Sequence, residues 1–242
     1  MSVAKRTGNK YALPTGDDKH SEMKIAPRQR RARVTIEAIL DATSDLLVEQ
    51  GVENLSTNMI CERAGLTPPA LYRYFPNKYA VLKELAVRLK NLQYDIFREW
   101  LERGGASIFQ AGKALDYDAV VSGIYEIQTA IHSATKDNPA NLWVGRIIRT
   151  QPAMAELRAE SRANSWRLLK KHLGAQTFNT SYEDVFVAGR VALDLIHTTI
   201  DMVTEDETLD QHLAFNSVAN MIASEYIRLL NADRTAAKLA AE

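Results

Sequence analysis

Ser56 to Lys78 reads STNMICERAGLTPPALYRYFPNK, and this stretch decides the fold. Ser56 is a good N-cap, because its side-chain oxygen accepts an amide hydrogen from the first turn of a helix starting at Thr57. That helix runs to about Ala64, with Ile60 and Ala64 four apart on one face. Gly65 lets the chain leave through a left-handed conformation, and Leu66 is the apolar plug of the turn. Thr67 is placed to cap a second short helix. Pro68 takes its first position, where a missing N–H costs nothing, and Pro69 is tolerated because first-turn amides have no intrahelical partner. Leu71 and Phe75 turn inward with Leu66 and Ile60, which leaves Pro69, Tyr72 and Arg73 outside and Tyr74 near the edge. Asn77 caps a third helix, with Lys78 in its first turn. Tyr72, Tyr74 and Phe75 cannot all face one small core. The order of parts is that of a helix-turn-helix, with one helix across a DNA backbone and the next in the major groove.

Working outward, the run AILDATSDLLVEQGVENLSTNMICERAGLTPPALYRYFPNKYAVLKEL resembles the DNA-binding domain of the TetR family of bacterial one-component transcriptional regulators. The resemblance rests on Gly51 closing the first helix, on Ala64-Gly65-Leu66-Thr67, and on Leu71-Tyr72 with Phe75 and Lys78. It covers the first quarter to third of the chain strongly, and the rest only by length and helical character. It implies operator contacts from Thr57, Thr67, Pro68, Pro69, Tyr72, Tyr74 and Lys78. Two residues depart from the family pattern. Pro68 stands where many relatives carry a polar or basic side chain, and Met59 replaces a commonly acidic one. Proline reads no base by hydrogen bonding, so more weight falls on Arg73, Tyr74 and DNA shape.

The chain of 242 residues has 30 basic and 30 acidic side chains, and its zero net charge hides an asymmetry. Residues 1–100 hold 16 Lys and Arg against 12 Asp and Glu, whereas residues 101–242 hold 14 against 18. A basic end joined to an acidic remainder suits a protein whose two ends face different partners. The segment 1–31 reads as a flexible basic arm. Its cluster Arg28, Arg30, Arg31 and Arg33, placed just before a first helix from about Val34, could enter a minor groove or bind phosphates. Cys61 is the single cysteine, which excludes an intramolecular disulfide. No apolar run is long enough for a bilayer, and the basic N-terminus lacks the apolar core of a secretion signal. A cytoplasmic address, without a membrane, is expected.

Helical periodicity continues to the end. Helices are predicted over about 34–50, 57–64, 68–74, 78–103, 116–135, 139–149, 152–173, 181–203 and 207–232. This is an all-α chain of about nine helices: a helix-turn-helix head over 32–82, joined to a larger ligand-binding and dimerisation domain over 83–242. The helix near 181–203 is apolar on most sides, and the one near 207–232 carries small residues that permit close approach. The two are expected to form a homodimer interface with their twofold mates.

Aromatic and amide side chains in the second domain suggest a small-molecule cavity. Tyr125, Trp143, Trp166 and Phe186 would form its walls, with Gln128, Asn164 or His197 to orient a small, hydrophobic or aromatic effector. The five histidines show no metal-ligand spacing, and no nucleophile motif or phosphate-cradling loop frames an active site. No metal, no cofactor and no enzymatic activity are expected. The resemblance implies a homodimeric repressor, released from a palindromic operator by its effector. A helical protein-interaction module, or a DNA-binding activator without small-molecule induction, is the alternative.

Overall fold

The computed structural model describes residues 27–105, 107, 116–173 and 182–239, and among these the architecture is all-α. Nine α-helices follow in order: α1 Pro27–Gln50, α2 Thr57–Ala64, α3 Pro68–Tyr72, α4 Lys78–Glu102, α5 Tyr117–Lys136, α6 Ala140–Thr150, α7 Ala155–Leu173, α8 Tyr182–Glu205 and α9 Gln211–Leu239. A 3-10 turn, Pro152–Met154, leads into α7. The chain divides between Leu92 and Gln93 into two compact units. None of the described helices is long and apolar enough to cross a membrane.

Two helix starts differ most from the sequence expectation. α1 begins at Pro27, seven residues before Val34, so Arg28, Arg30, Arg31 and Arg33 lie on its first turns and not on an arm preceding it. Proline suits a first helical position, and the Arg, Gln and Ala residues that follow are strong helix formers. The rest of the expected arm, residues 1–26, lies outside the described residues. α9 begins at Gln211 and not at 207, because two aspartates organise the preceding turn. Asp206 accepts from the Thr208 amide at 3.0 Å, and Asp210 accepts from the Leu213 amide at 2.9 Å.

The first unit is a small core built on α1 and α4. Ile39, Leu40, Leu46 and Leu47 of α1 are buried, as are Val81, Leu82, Leu85 and Leu89 of α4. Leu55, Ile60, Leu71 and Phe75 bring the two short helices onto this base. Cys61 is buried beside Ile60, and burial pushes its thiol pKa up, in keeping with a packing residue.

In the second unit, α5 packs on α9, α8 and α6, and α8 packs on α7 and α9. One cluster gathers Trp166, Leu193, Ile200 and Phe215, and a second gathers Val120, Ile124, Val218, Ile222 and Tyr226. At the end of α8 the arginines of α6 reach two carboxylates: Arg146 lies 3.2 Å from Glu205, Arg149 lies 2.9 Å from Asp201, and Arg149 also pairs with Glu205.

Gly189 in the middle of α8 is a packing residue. A Cβ there would lie 2.2 Å from Trp166 Cζ3, and this ring is buried and held edge-on against Phe186. Gly189→Ala should therefore destabilise the second unit by roughly 1–3 kcal/mol through overpacking, although alanine is the better helix former. Thermal unfolding checks this, and a variant as stable as the parent would show that the ring moves aside freely.

His132 on α5 is also buried, with Nδ1 3.0 Å from Thr204 Oγ1 and its ring edge-on to Phe215. Burial, then the charge of Lys136, lowers its pKa below the ordinary 6.5. As pH falls through the ordinary value, the unfolded chain takes a proton that the folded unit resists. Stability present at neutral pH is lost progressively until the lower folded pKa is passed. His132→Phe removes this titration. Urea midpoints at about pH 7.5 and 5.5 should fall further in the parent than in the variant; equal losses would place the acid sensitivity elsewhere.

Candidate nucleic-acid interface and ligand cavity

The short helices of the first unit are shaped by their ends. Ser56 sits in extended conformation and its Oγ accepts from the Met59 amide at 3.3 Å. Gly65, at φ 65°, closes α2 through the left-handed region, and the Leu66 amide reaches back to the Cys61 carbonyl at 2.9 Å. Thr67 occupies the N-cap position of α3, but its side chain makes no capping hydrogen bond there. The prolines explain this, since Pro68 and Pro69 have no N–H to offer and the cap has less to satisfy. Asn77 caps α4 as its sequence position predicts, with Oδ1 accepting from the Ala80 amide at 3.0 Å.

These ends leave a surface of mixed chemistry. Thr67, Pro68, Pro69, Tyr72 and Arg73 are exposed, and Tyr74 is half-buried. Tyr72 is 51% exposed, which places its ring on the outer face as its helical position implies. Its hydroxyl lies 3.1 Å from Thr57 Oγ1, a pair of hydroxyls that joins the start of α2 to the end of α3. The Arg73 guanidinium lies over the Tyr74 ring, 5.9 Å from its centre. Arg30, Arg31 and Arg33 are exposed on α1.

Lys78 has a structural role that its sequence position does not reveal. Its Nζ donates to the Leu55 carbonyl at 2.8 Å, holding the connection that leads into the Ser56 cap. An ammonium group has three donors, so this bond leaves others for an outside acceptor. Around the base of the head, Arg63 of α2 makes a two-pronged pair with Glu49 of α1 at 2.8 and 2.6 Å. That hydrogen bond holds the Glu49 carboxyl below the usual carboxylate range.

The second unit contains a cavity of about 540 Å³ among α4, α5, α7, α8 and α9. Phe97 and Trp100 of α4, Ile124 and Ile127 of α5, and Trp166 of α7 form its buried depth. Tyr226 contributes a hydroxyl whose pKa burial pushes far up, so it stays protonated. Glu225 and Arg228, also in the wall, pair with each other at 2.6 Å.

Of the side chains expected around a ligand, Trp166 lies in this wall and six lie outside it. Gln128 is fully buried between α5 and α9, donating to the Ile124 and Phe215 carbonyls at 3.3 and 3.1 Å. Tyr125 packs edge-on to His212 and Phe215. Trp143 is covered by Arg146, Asn164 accepts from Arg167 at 2.6 Å, and Phe186 backs Trp166 from behind. His197 is half-buried on α8. The wall residues Phe97 and Trp100 were not singled out from sequence. Their signal was the length of α4, whose last two turns carry apolar residues beyond what a helix-turn-helix needs. Among the described residues no group of His, Cys, Asp and Glu could hold a metal ion.

Residues 39–85 match the family model for bacterial regulatory proteins of the tetR family. The class D tetracycline repressor protein of Escherichia coli is 36% identical over 64 residues, 26% of this chain and 29% of that protein. The class A repressor from transposon 1721 of Escherichia coli is 48% identical over 48 residues, 20% of this chain and 22% of that protein. The matched segment thus spans less than a third of these relatives' length. A crystal structure of a TetR-family transcriptional regulator from Haemophilus influenzae superposes with a TM-score of 0.53 over 82% of this chain and 98% of that one, at 19% identity. This structural likeness concerns the fold alone. Residues 39–85 are thus similar to the domain described by the model for bacterial regulatory proteins of the tetR family.

Removing the Lys78 ammonium tests its structural bond apart from any outside contact. Lys78→Met should destabilise the head by about 1 kcal/mol, the net value of one partly exposed hydrogen bond. Hydrogen exchange at the amides of 55–60 should quicken. Exchange at the parent rate would mean that Leu55 is held by other means.

Proposed function

We propose that this protein is a homodimeric transcriptional regulator that binds a palindromic operator and is released from it by a small, largely hydrophobic effector. The reading rests on one observation above others: a helix-turn-helix capped at Ser56, Gly65 and Asn77 carries Tyr72, Thr57, Pro68, Pro69 and Arg73 close together, with Tyr72 and Thr57 joined by their hydroxyls. The arginine guanidinium and the tyrosine hydroxyl suit phosphate oxygens or base edges, and the prolines suit a thymine methyl. The exposed Arg30, Arg31 and Arg33 and the remaining donors of Lys78 add phosphate contacts. The bacterial cytoplasm, where the operator lies, is the place of action.

A dimer is supported by an apolar outer face in the second unit. Val187, Val191, Leu195 and Met202 on α8, and Leu213 and Met221 on α9, are all exposed. Exposed apolar stripes of this kind mark interfaces, and a twofold pair of α8 and α9 helices would cover them. A dimer sets two reading helices a fixed distance apart, which a palindromic site requires.

Effector control is supported by the cavity. α4 carries Lys78 in its first turn and the wall residues Phe97 and Trp100 near its end. A ligand that prefers the arrangement with poor operator affinity shifts the equilibrium by that preference, and equal preference shifts nothing.

Selection of bound duplexes from a random pool should yield a site with twofold symmetry, bound with strong salt dependence. Tyr72→Ala should leave unfolding unchanged and weaken operator binding. A lost base contact costs roughly 1–3 kcal/mol of discrimination, whereas a lost phosphate contact weakens all sequences alike. A selection without sequence preference, or a variant with parental affinity, would overturn the assignment of this face.

A further inference from the structure

We infer that the cavity of the second unit selects a bulky organic cation, its apolar body seated among aromatic rings and its charge facing the carboxylates of Asp184 and Glu225. The inference rests on the proposed reading of this cavity as the effector site. It deepens that reading by naming the charge and chemical class of the ligand: a quaternary ammonium, a phosphonium or a delocalised aromatic cation.

Of the described residues that line the cavity, three are charged: Asp184 of α8, and Glu225 and Arg228 of α9. Two carboxylates against one guanidinium leave one negative charge in excess. That guanidinium is already engaged, since it donates to both carboxylate oxygens of Glu225, from Nε at 2.7 Å and from Nη2 at 2.6 Å. The same bonding holds the Glu225 carboxyl below the usual carboxylate range, so it stays ionised at neutral pH. It also raises the Arg228 pKa, with a smaller contribution from the charge of Asp184, which places that carboxylate near the same group. An anionic ligand would have to break the Glu225 pair and then meet two carboxylates. A cation meets the excess and leaves the pair intact.

The rest of the wall suits the same charge. Phe97, Trp100 and Trp166 are each at most 8% exposed, and the negative π-face of such rings attracts a cation and not an anion. The Tyr226 hydroxyl stays protonated and adds no charge of its own. Bulk matters as well. A compact ammonium is strongly hydrated and would stay in water, because an uncompensated charge is costly to desolvate. A cation whose charge is spread over aromatic or alkyl groups loses little hydration on entry. Asp184 is exposed, and the side chains of Glu225 and Arg228 are 44% and 64% exposed. Each of these charges therefore acts in a largely aqueous setting and contributes a few-fold in affinity, not orders of magnitude.

Tetraphenylphosphonium and tetraphenylborate are suitable probes, because they share one shape and one apolar surface and differ in the sign of the charge. Titration calorimetry on the full chain should give tighter binding of the phosphonium by about tenfold or more, with an advantage that shrinks as salt rises. Asp184→Asn should weaken the phosphonium about threefold to fivefold and strengthen the borate. Arg228→Gln, which removes the positive charge, should strengthen the phosphonium and weaken the borate. Borate bound as tightly as phosphonium by the parent, or more tightly, would overturn the cation selectivity while leaving the cavity as an effector site. A selectivity unchanged in both variants would overturn its assignment to these charges. If neither ion binds but the neutral dye 1-N-phenylnaphthylamine does, the inference falls alone. If none of these probes binds, the effector reading of the cavity falls with it.

Discussion

A buried guanidinium holds the first unit together. Arg88 on α4 is 5% exposed, yet it carries a charge inside a small apolar core. It meets Glu37 of α1 in a two-pronged pair at 2.7 and 2.8 Å, and its Nε reaches Glu84 one turn back at 3.0 Å. Burial works against the charge, but the hydrogen bonds to the two carboxylates outweigh it and keep the group firmly protonated. Removing one partner of such a set leaves a charge without compensation, which costs more than the pair itself contributes. The geometry therefore has little freedom: α1 and α4 must keep one mutual angle for all three groups to be satisfied. α2 has eight residues and α3 has five, too few for either to be stable alone. Both depend on the base that Arg88 fixes.

On that base, the outer face of α3 owes its form to what the prolines forbid. Two prolines in the first turn remove amide donors, so Thr67 has less to cap, and it is exposed. The Tyr72 hydroxyl is steadied by Thr57 across the turn. A ring held at both ends has less freedom left to lose than a lysine side chain would. The outer face of α3 is consequently stiff and partly apolar.

How much of this was legible depended on range along the chain. Ser56, Gly65 and Asn77 act within four residues of themselves, and each behaves as its type and position imply. The link from Lys78 to the Leu55 carbonyl spans 23 residues and that from Arg88 to Glu37 spans 51, and no local pattern announces either. The same holds in the second unit. Aromatic residues were visible as a supply, but which of them face a void depends on how five helices are rotated. Trp166 faces it and Phe186 stands behind, although both are large rings on neighbouring helices. The late start of α9 and the early start of α1 are boundary matters. One was set by aspartates whose turn competes with helix, the other by arginines that read equally well as an arm or as a helix.

α8 explains both the cavity and the apolar outer face through one inversion. An ordinary surface helix puts large apolar residues inward and small or polar ones outward. Between Val187 and Ala192 the arrangement is partly reversed. Ala188, Gly189 and Ala192 line the void with little bulk, while Val187 and Val191 are each more than half exposed. Filling the inner positions with leucine would be the usual way to reach native packing density. Leaving them small forgoes contacts and retains a void, which carries a stability cost that grows with its volume. Trp166 recovers part of this by laying its ring on Gly189, where no Cβ intervenes. α8 is thus a helix whose small inner residues keep a void open and whose outer valines stay in water, each at a cost in stability.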